Sequence, residues 1–208
     1  MRDDLKISVR IVACAVLAFA TSLAMAFDAS KIPFKTKETK AEILKDFEQA
    51  QERGRNFILA VGRDGAWSSK WLRSDWESHE ESARMVREKC EHLSDGACNV
   101  VYQNGEWIDF ESSSRILEYV TTFDASKIPF VQDDTREKLA SKYSPKSKNK
   151  ALAISRHGRY WYVYSKESPE EAADAALHKC RGEKNFPCFV YAINDDVVFD
   201  SNTVIYPQ

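Results

Sequence analysis

The eight residues Phe27-Asp28-Ala29-Ser30-Lys31-Ile32-Pro33-Phe34 return unchanged at Phe123 to Phe130. An identity of that length does not arise by chance in 208 residues, so the chain reads as a tandem duplication. The offset is 96 residues at the octapeptide. It is 93 where Leu59-Ala60-Val61 meets Leu152-Ala153-Ile154, and 90 where Ser78-His79-Glu80-Glu81 meets Ser168-Pro169-Glu170-Glu171. Two three-residue deletions therefore separate the halves. Loops tolerate deletions, which places one before each hairpin and one between each hairpin and its helix.

Each half predicts the same order of elements. A charged helix comes first, over 37–51 and 134–143, with Ile43, Leu44 and Phe47 on one face as Leu139 and Tyr143 are in the second half. A hairpin follows, 56–61 turning at Arg63-Asp64-Gly65 into 66–72, and 151–155 turning at Arg156-His157-Gly158 into 160–164. Glycine in the third turn position supplies the positive φ of a tight hairpin. Ser78 with Glu81 and Ser168 with Glu171 form capping boxes that start a second helix, with Pro169 at its first position. Ala83, Val86 and Cys90 line one face of that helix, as Ala173, Ala176 and Cys180 do in the other half, small enough to lie close on a sheet. A second hairpin closes each half, 99–103 through Asn104-Gly105 to 106–110, and 189–193 through Asn194-Asp195 to 197–200. The fold class expected is α+β: two tandem repeats, each an N-terminal helix plus a β-β-α-β-β antiparallel sheet with a helix packed on it. The boundaries are 1–26 leader, 27–122 first repeat and 123–208 second repeat. Each repeat holds a complete set of elements and is expected to fold alone.

The Ala-Ile-Ser-x-x-Gly run beginning at Ala153, the aromatic return strand, the Ala-rich helix ending in Cys180 and the Cys188-Phe189-Val190 segment resemble exported bacterial domains of unknown function. In that family a β-β-α-β-β core is pinned by paired cysteines. The resemblance covers roughly 57–108 and 151–199. The chain departs from it in having Val61-Gly62 in place of Ile-Ser and in lacking a glycine-rich return strand. The resemblance implies a fold and an exported address, with no catalytic residues to carry over.

The address has support of its own. Arg2, Lys6 and Arg10 precede an apolar run from Ile11 to Leu23, and Ala24-Met25-Ala26 gives the small residues a signal peptidase reads, so cleavage is expected after Ala26. An uncleaved anchor is one alternative, and Ile11-Val12-Ala13-Cys14, which resembles a lipoprotein box, is another. Removing the leader leaves Cys90, Cys98, Cys180 and Cys188, an even count that suggests disulfides in an oxidising space. Seven residues lie within each near pair, pointing to Cys90–Cys98 and Cys180–Cys188. That spacing is wider than the knuckle of a zinc site. The expected address is periplasmic or secreted, with no stable membrane insertion once the leader is cut.

Thirty basic against thirty-two acidic side chains leave a formal charge of −2, which argues against a nucleic-acid binder or a polybasic membrane-surface protein. His79, His92, His157 and His178 have no counterparts in the opposite half, against a catalytic device common to both. No nucleophile elbow, phosphate loop, dinucleotide fingerprint or zinc helix occurs, and no cofactor or metal is expected. Lys142, Lys146, Lys148 and Lys150 around Ser144-Pro145 read as a solvated loop or, alternatively, an anion site.

The aromatics are more suggestive. Trp67, Trp71 and Trp76 lie on or after one return strand, Tyr160, Trp161, Tyr162 and Tyr164 on the other, and Trp107 in the last hairpin of the first half. Alternation sets Tyr160, Tyr162 and Tyr164 on one sheet face and Trp161 with Val163 on the other. Such rings either fill the gap beneath the small-residue helix or stand free to stack on sugars or anchor a protein. The function expected is an exported, non-enzymatic binding module for a protein or cell-envelope polymer. It would use Trp67, Trp71, Trp107, Tyr160, Trp161, Tyr162 and Tyr164, and the two octapeptides. The alternatives are a periplasmic hydrolase with a site between the repeats and His157 as its base, and a purely structural envelope protein.

Overall fold

The computed structural model describes residues 27–72, 78–111, 113–146 and 148–204. The expected leader and Trp76 lie outside them. The architecture is α+β, with two four-stranded antiparallel sheets ordered β2-β1-β3-β4 and β6-β5-β7-β8. In the first unit, α1 (Lys37–Glu52) precedes β1 (Asn56–Gly62), β2 (Trp67–Leu72), α2 (His79–His92), β3 (Cys98–Gln103) and β4 (Glu106–Trp107). In the second, α3 (Asp133–Lys142) precedes β5 (Ala151–Ser155), β6 (Tyr160–Val163), α4 (Pro169–Arg181), β7 (Cys188–Ile193) and β8 (Asp196–Val197). The closing strands β4 and β8 are shorter than the alternation of their residues predicts. α3 is shorter than α1, so the first length difference falls at the end of a helix rather than wholly within a loop.

Local chemistry explains the shared elements. Each octapeptide forms a short 3-10 turn because Asp28 and Asp124 accept the N–H of Ser30 and Ser126, both at 2.9 Å. Each ends on a phenylalanine in the left-handed region, Phe34 at φ 56° and Phe130 at φ 64°. Ser78 and Ser168 cap α2 and α4 through the N–H of Glu81 and Glu171. The reciprocal half of each capping box is not made. Glu171 turns to Lys166 and the N–H of Glu167, and Glu81 reaches the other unit.

Both sheet faces are covered. Ile58, Ala60, Leu72, Val86, Cys90 and Cys98 pack beneath α2, and Ala151, Ala153, Ala172, Ala176, Cys180 and Cys188 beneath α4. Disulfides Cys90–Cys98 and Cys180–Cys188 tie the end of each helix to the strand that follows it. The opposite faces are closed by the octapeptides with α1 and α3. Phe27, Ile32, Ile43, Phe57, Leu59 and Tyr102 form one core, and Ile128, Phe130, Leu139, Tyr143, Leu152 and Tyr191 the other.

The units are joined through the outer face of α2. Glu81 accepts the N–H of Asp133 at 2.8 Å, capping α3, whose own Gln132 makes no side-chain cap. Arg84 donates to the Val131 carbonyl at 2.7 Å. Glu88 accepts the Phe130 N–H at 2.7 Å and pairs with Arg136 at 3.0 Å. Glu91 is fully buried and accepts from the N–H groups of Ile116 and Leu117, both at 2.8 Å, in the connection between the units.

Candidate binding surface

The aromatic candidates divide by sheet face. Trp67, Trp71 and Trp107 are half-buried against the core beneath α1. Trp71 faces Phe57 across the β1–β2 ladder, donates from Nε1 to Asp46 at 3.0 Å and lies 4.9 Å from the Arg53 guanidinium carbon. Trp107 packs 5.0 Å from Phe27 and 5.1 Å from Tyr102. Tyr160 and Tyr162 pack on the corresponding core of the second unit. These rings therefore do not fill a gap under the Ala-rich helix. They lie on the opposite face, closed by the octapeptide and the first helix of each unit, an arrangement that a one-sided sheet would not give.

Trp161 and Tyr164 remain open, each 44% exposed. Trp161 sits opposite Ala153 on the α4 side of β6, an edge strand hydrogen-bonded on one side to β5. Beside it lies a depression of about 340 Å3 lined by Trp161, His178, Lys179, Gly182 and Glu183. The Lys179 ammonium is 5.5 Å from the ring centroid. Gly182 ends α4 at φ 57°, where a Cβ would come within 2.9 Å of Arg159 Nη2. The bare backbone thus lets Arg159 lie against the end of α4, its guanidinium carbon 4.6 Å from the Phe186 ring. On the other side of the strand Tyr164 stacks at 6.3 Å on Tyr162, with Lys146 Nζ 4.4 Å from its ring. A flat ring with an ammonium, an imidazole and a carboxylate around it can hold a ring-shaped polar ligand by stacking and hydrogen bonds.

The chain matches no known protein family, curated protein or solved structure.

The catalytic alternatives find different surroundings. His157 Nε2 accepts from Arg156 Nε at 3.2 Å. It stands in an exposed turn, where partial desolvation by its neighbours together with the charges of Lys89 and Arg156 lowers its pKa. The charged groups beside it, Lys89 and Arg156, are cations, whereas a general base is oriented by a carboxylate. Among the described residues no three His, Cys, Asp or Glu side chains are placed to hold a metal ion.

The lysine group after α3 is corrected in one member. Lys150 is buried, not solvated: it pairs with Asp195 at 2.7 Å and donates to the Ser144 carbonyl at 3.0 Å, closing the loop it was expected to decorate. Sequence reasoning passed over Glu88 and Glu91, read Glu81 only as a capping-box partner and His92 only as an unmatched histidine, and so missed the joint they build. A signal was available in the comparison of halves. Glu88, Glu91 and His92 stand opposite His178, Arg181 and Gly182, and residues that differ at matched positions of one helix mark the face that meets a different neighbour.

Proposed function

We propose that the protein is an exported, non-enzymatic binding module built from two copies of one ancestral unit, with residues 1–26 removed as a signal peptide. It would belong with exported bacterial β-β-α-β-β domains pinned by paired cysteines. Its ligand is a cell-envelope polymer whose sugar ring stacks on Trp161, while Tyr164, just past the end of β6, offers a second exposed ring on the opposite face. The observation that carries this reading is an exposed tryptophan on a free sheet edge, beside a concavity edged by Lys179, His178 and Glu183. Two disulfides within the described residues suit an oxidising address. No described helix is long and apolar enough to cross a membrane.

Co-sedimentation of the purified protein with isolated envelope polymer tests it. Trp161→Ala is expected to weaken binding about tenfold or more, since a central aromatic anchor contributes 1.4 kcal/mol or above. Equal sedimentation of Trp161→Ala and wild type, with unchanged circular dichroism, overturns the reading.

A further inference from the structure

The two octapeptides have one sequence and one backbone shape, yet their last residues meet opposite fates. Phe130 is fully buried and Phe34 is 51% exposed. The difference lies in what covers them. Over Phe130 lies the outer stripe of α2, spaced so that Glu81, Arg84, Met85, Glu88 and His92 share one side of the helix. Glu88 takes the Phe130 N–H, Glu81 takes the Asp133 N–H, and the His92 ring stands 6.2 Å from the Phe130 ring. Met85 closes over the hairpin turn, where a Cβ on Gly158 would lie 3.2 Å from its Cε.

Around Phe34 the receiving parts are present without the helix. Gly65 holds the matching turn at φ 95°, with the Phe34 carbonyl above it. The N–H groups of Phe34 and Lys37, counterparts of those on Phe130 and Asp133, have no acceptor among the described residues. Phe34 touches Phe110, centroids 4.9 Å apart, and about half of its surface faces solvent. Charge differs in a telling way. Where the second unit has Val131, Asp133 and Arg136, the first has Lys35, Lys37 and Lys40, so a neutral set is replaced by three cations. Lys35 is held by the Gly65 and Ala66 carbonyls, while Lys37 and Lys40, the latter donating to the Ser30 carbonyl at 2.9 Å, carry their charge at the surface.

We propose that the Phe34 face of the first unit is a docking site for an acidic amphipathic helix of another protein, seated as α2 is seated on the second unit. A carboxylate of that helix takes the Phe34 N–H and pairs with Lys40, a second caps α1 at Lys37, and an apolar side chain covers the Phe34 ring. A second copy of this chain fits less well, because α4 carries Asp174, Ala175 and His178 where α2 carries Arg84, Met85 and Glu88. The carboxylate that holds the Phe130 N–H is missing from it. This surface is separate from the Trp161 edge.

The probe is a synthetic peptide with the sequence of residues 78–93, carrying Arg84→Glu and Cys90→Ser and stapled on its outer side, because short isolated helices are marginal in water. Titrated into the isotopically labelled full chain, it is expected to shift the Phe34 and Lys37 amide resonances saturably. Phe34→Ser or Lys40→Glu in the protein should abolish the shifts, and Trp161→Ala should leave them unchanged. Glu81→Gln with Glu88→Gln in the peptide should weaken binding about tenfold, as expected for lost charge-assisted hydrogen bonds. Absence of saturable shifts at Phe34, or shifts that persist in Phe34→Ser, overturns the proposal. So does peptide-independent dimerisation abolished by Phe34→Ser, which would make a second copy the occupant.

Discussion

Glu88 Oε2 accepts the main-chain N–H of Phe130 across the joint at 2.7 Å, while its other oxygen takes Arg84 at 2.8 Å and Arg136 at 3.0 Å. One carboxylate on the first unit thus holds the second unit's octapeptide and its first helix. Glu88→Ala leaves a buried N–H without a partner and strands two guanidinium groups. It is expected to lower the free energy of unfolding by about 3 kcal/mol, read by urea denaturation. The same contact bears on the expectation that each half folds alone. Residues 123–208 by themselves lack the helix that covers Phe130 and Phe199, and should bind a hydrophobic dye and lose near-ultraviolet circular dichroism. A fragment that instead unfolds cooperatively, without dye binding, would show that α2 is dispensable to the second core.

The hairpin glycines offer a matched pair. Gly65 and Gly158 both need positive φ, 95° and 82°, so alanine at either strains the turn by about 1–2 kcal/mol. Space separates them. A Cβ on Gly65 meets nothing nearer than the Phe34 carbonyl at 4.0 Å, whereas on Gly158 it meets Met85 Cε and the Phe130 carbonyl, each at 3.2 Å. Gly158→Ala is therefore expected to lower the melting temperature more than Gly65→Ala. Equal losses would mean that the joint yields freely at Met85.

Much of this fold was legible because the sequence repeats its local signals: Asp28 and Asp124 in the octapeptides, Ser78 and Ser168 at helix starts, and cysteines placed alike in both halves. Each acts within a few residues of itself, so its effect can be read without knowing the neighbours. The joint was not legible, because Glu88 and Arg136 are 48 residues apart and each looks like an ordinary surface charge on its own helix. The aromatic strands were half legible. Alternation correctly sorts Tyr160 and Tyr162 from Trp161, but which face is open depends on α1 and α3, whose docking no periodicity in the strands records. Lys150 illustrates the same limit. It stands in a lysine-rich stretch, and only the return of β7 towards Asp195 gives it a buried partner.

His92 gives the joint a pH dependence with a definite sign. Its Nε2 donates to the Thr203 carbonyl at 2.7 Å, and its Nδ1, 3.0 Å from the Tyr119 hydroxyl, accepts. Both nitrogens are satisfied by the neutral ring. Burial disfavours the imidazolium and nearby Arg115 adds repulsion. The Thr203 carbonyl and Asp200 oppose them, and the net effect lowers the pKa from 6.5. The groups that face it are Arg115 and Tyr119 from the connection and Asp200 and Thr203 from the C-terminal segment, with Phe199 stacked at 5.0 Å. With the folded pKa below the unfolded one, the unfolded chain takes up the proton first as pH falls. The contribution is therefore present above about 6.5 and is lost as pH drops through the lower folded value. Melting temperature should fall between about pH 6.5 and 5, before the carboxylates protonate, and His92→Gln should flatten that part of the curve. A His92 imidazole titrating at or above 6.5 by NMR, or a His92→Gln profile parallel to wild type, would remove the histidine from this role.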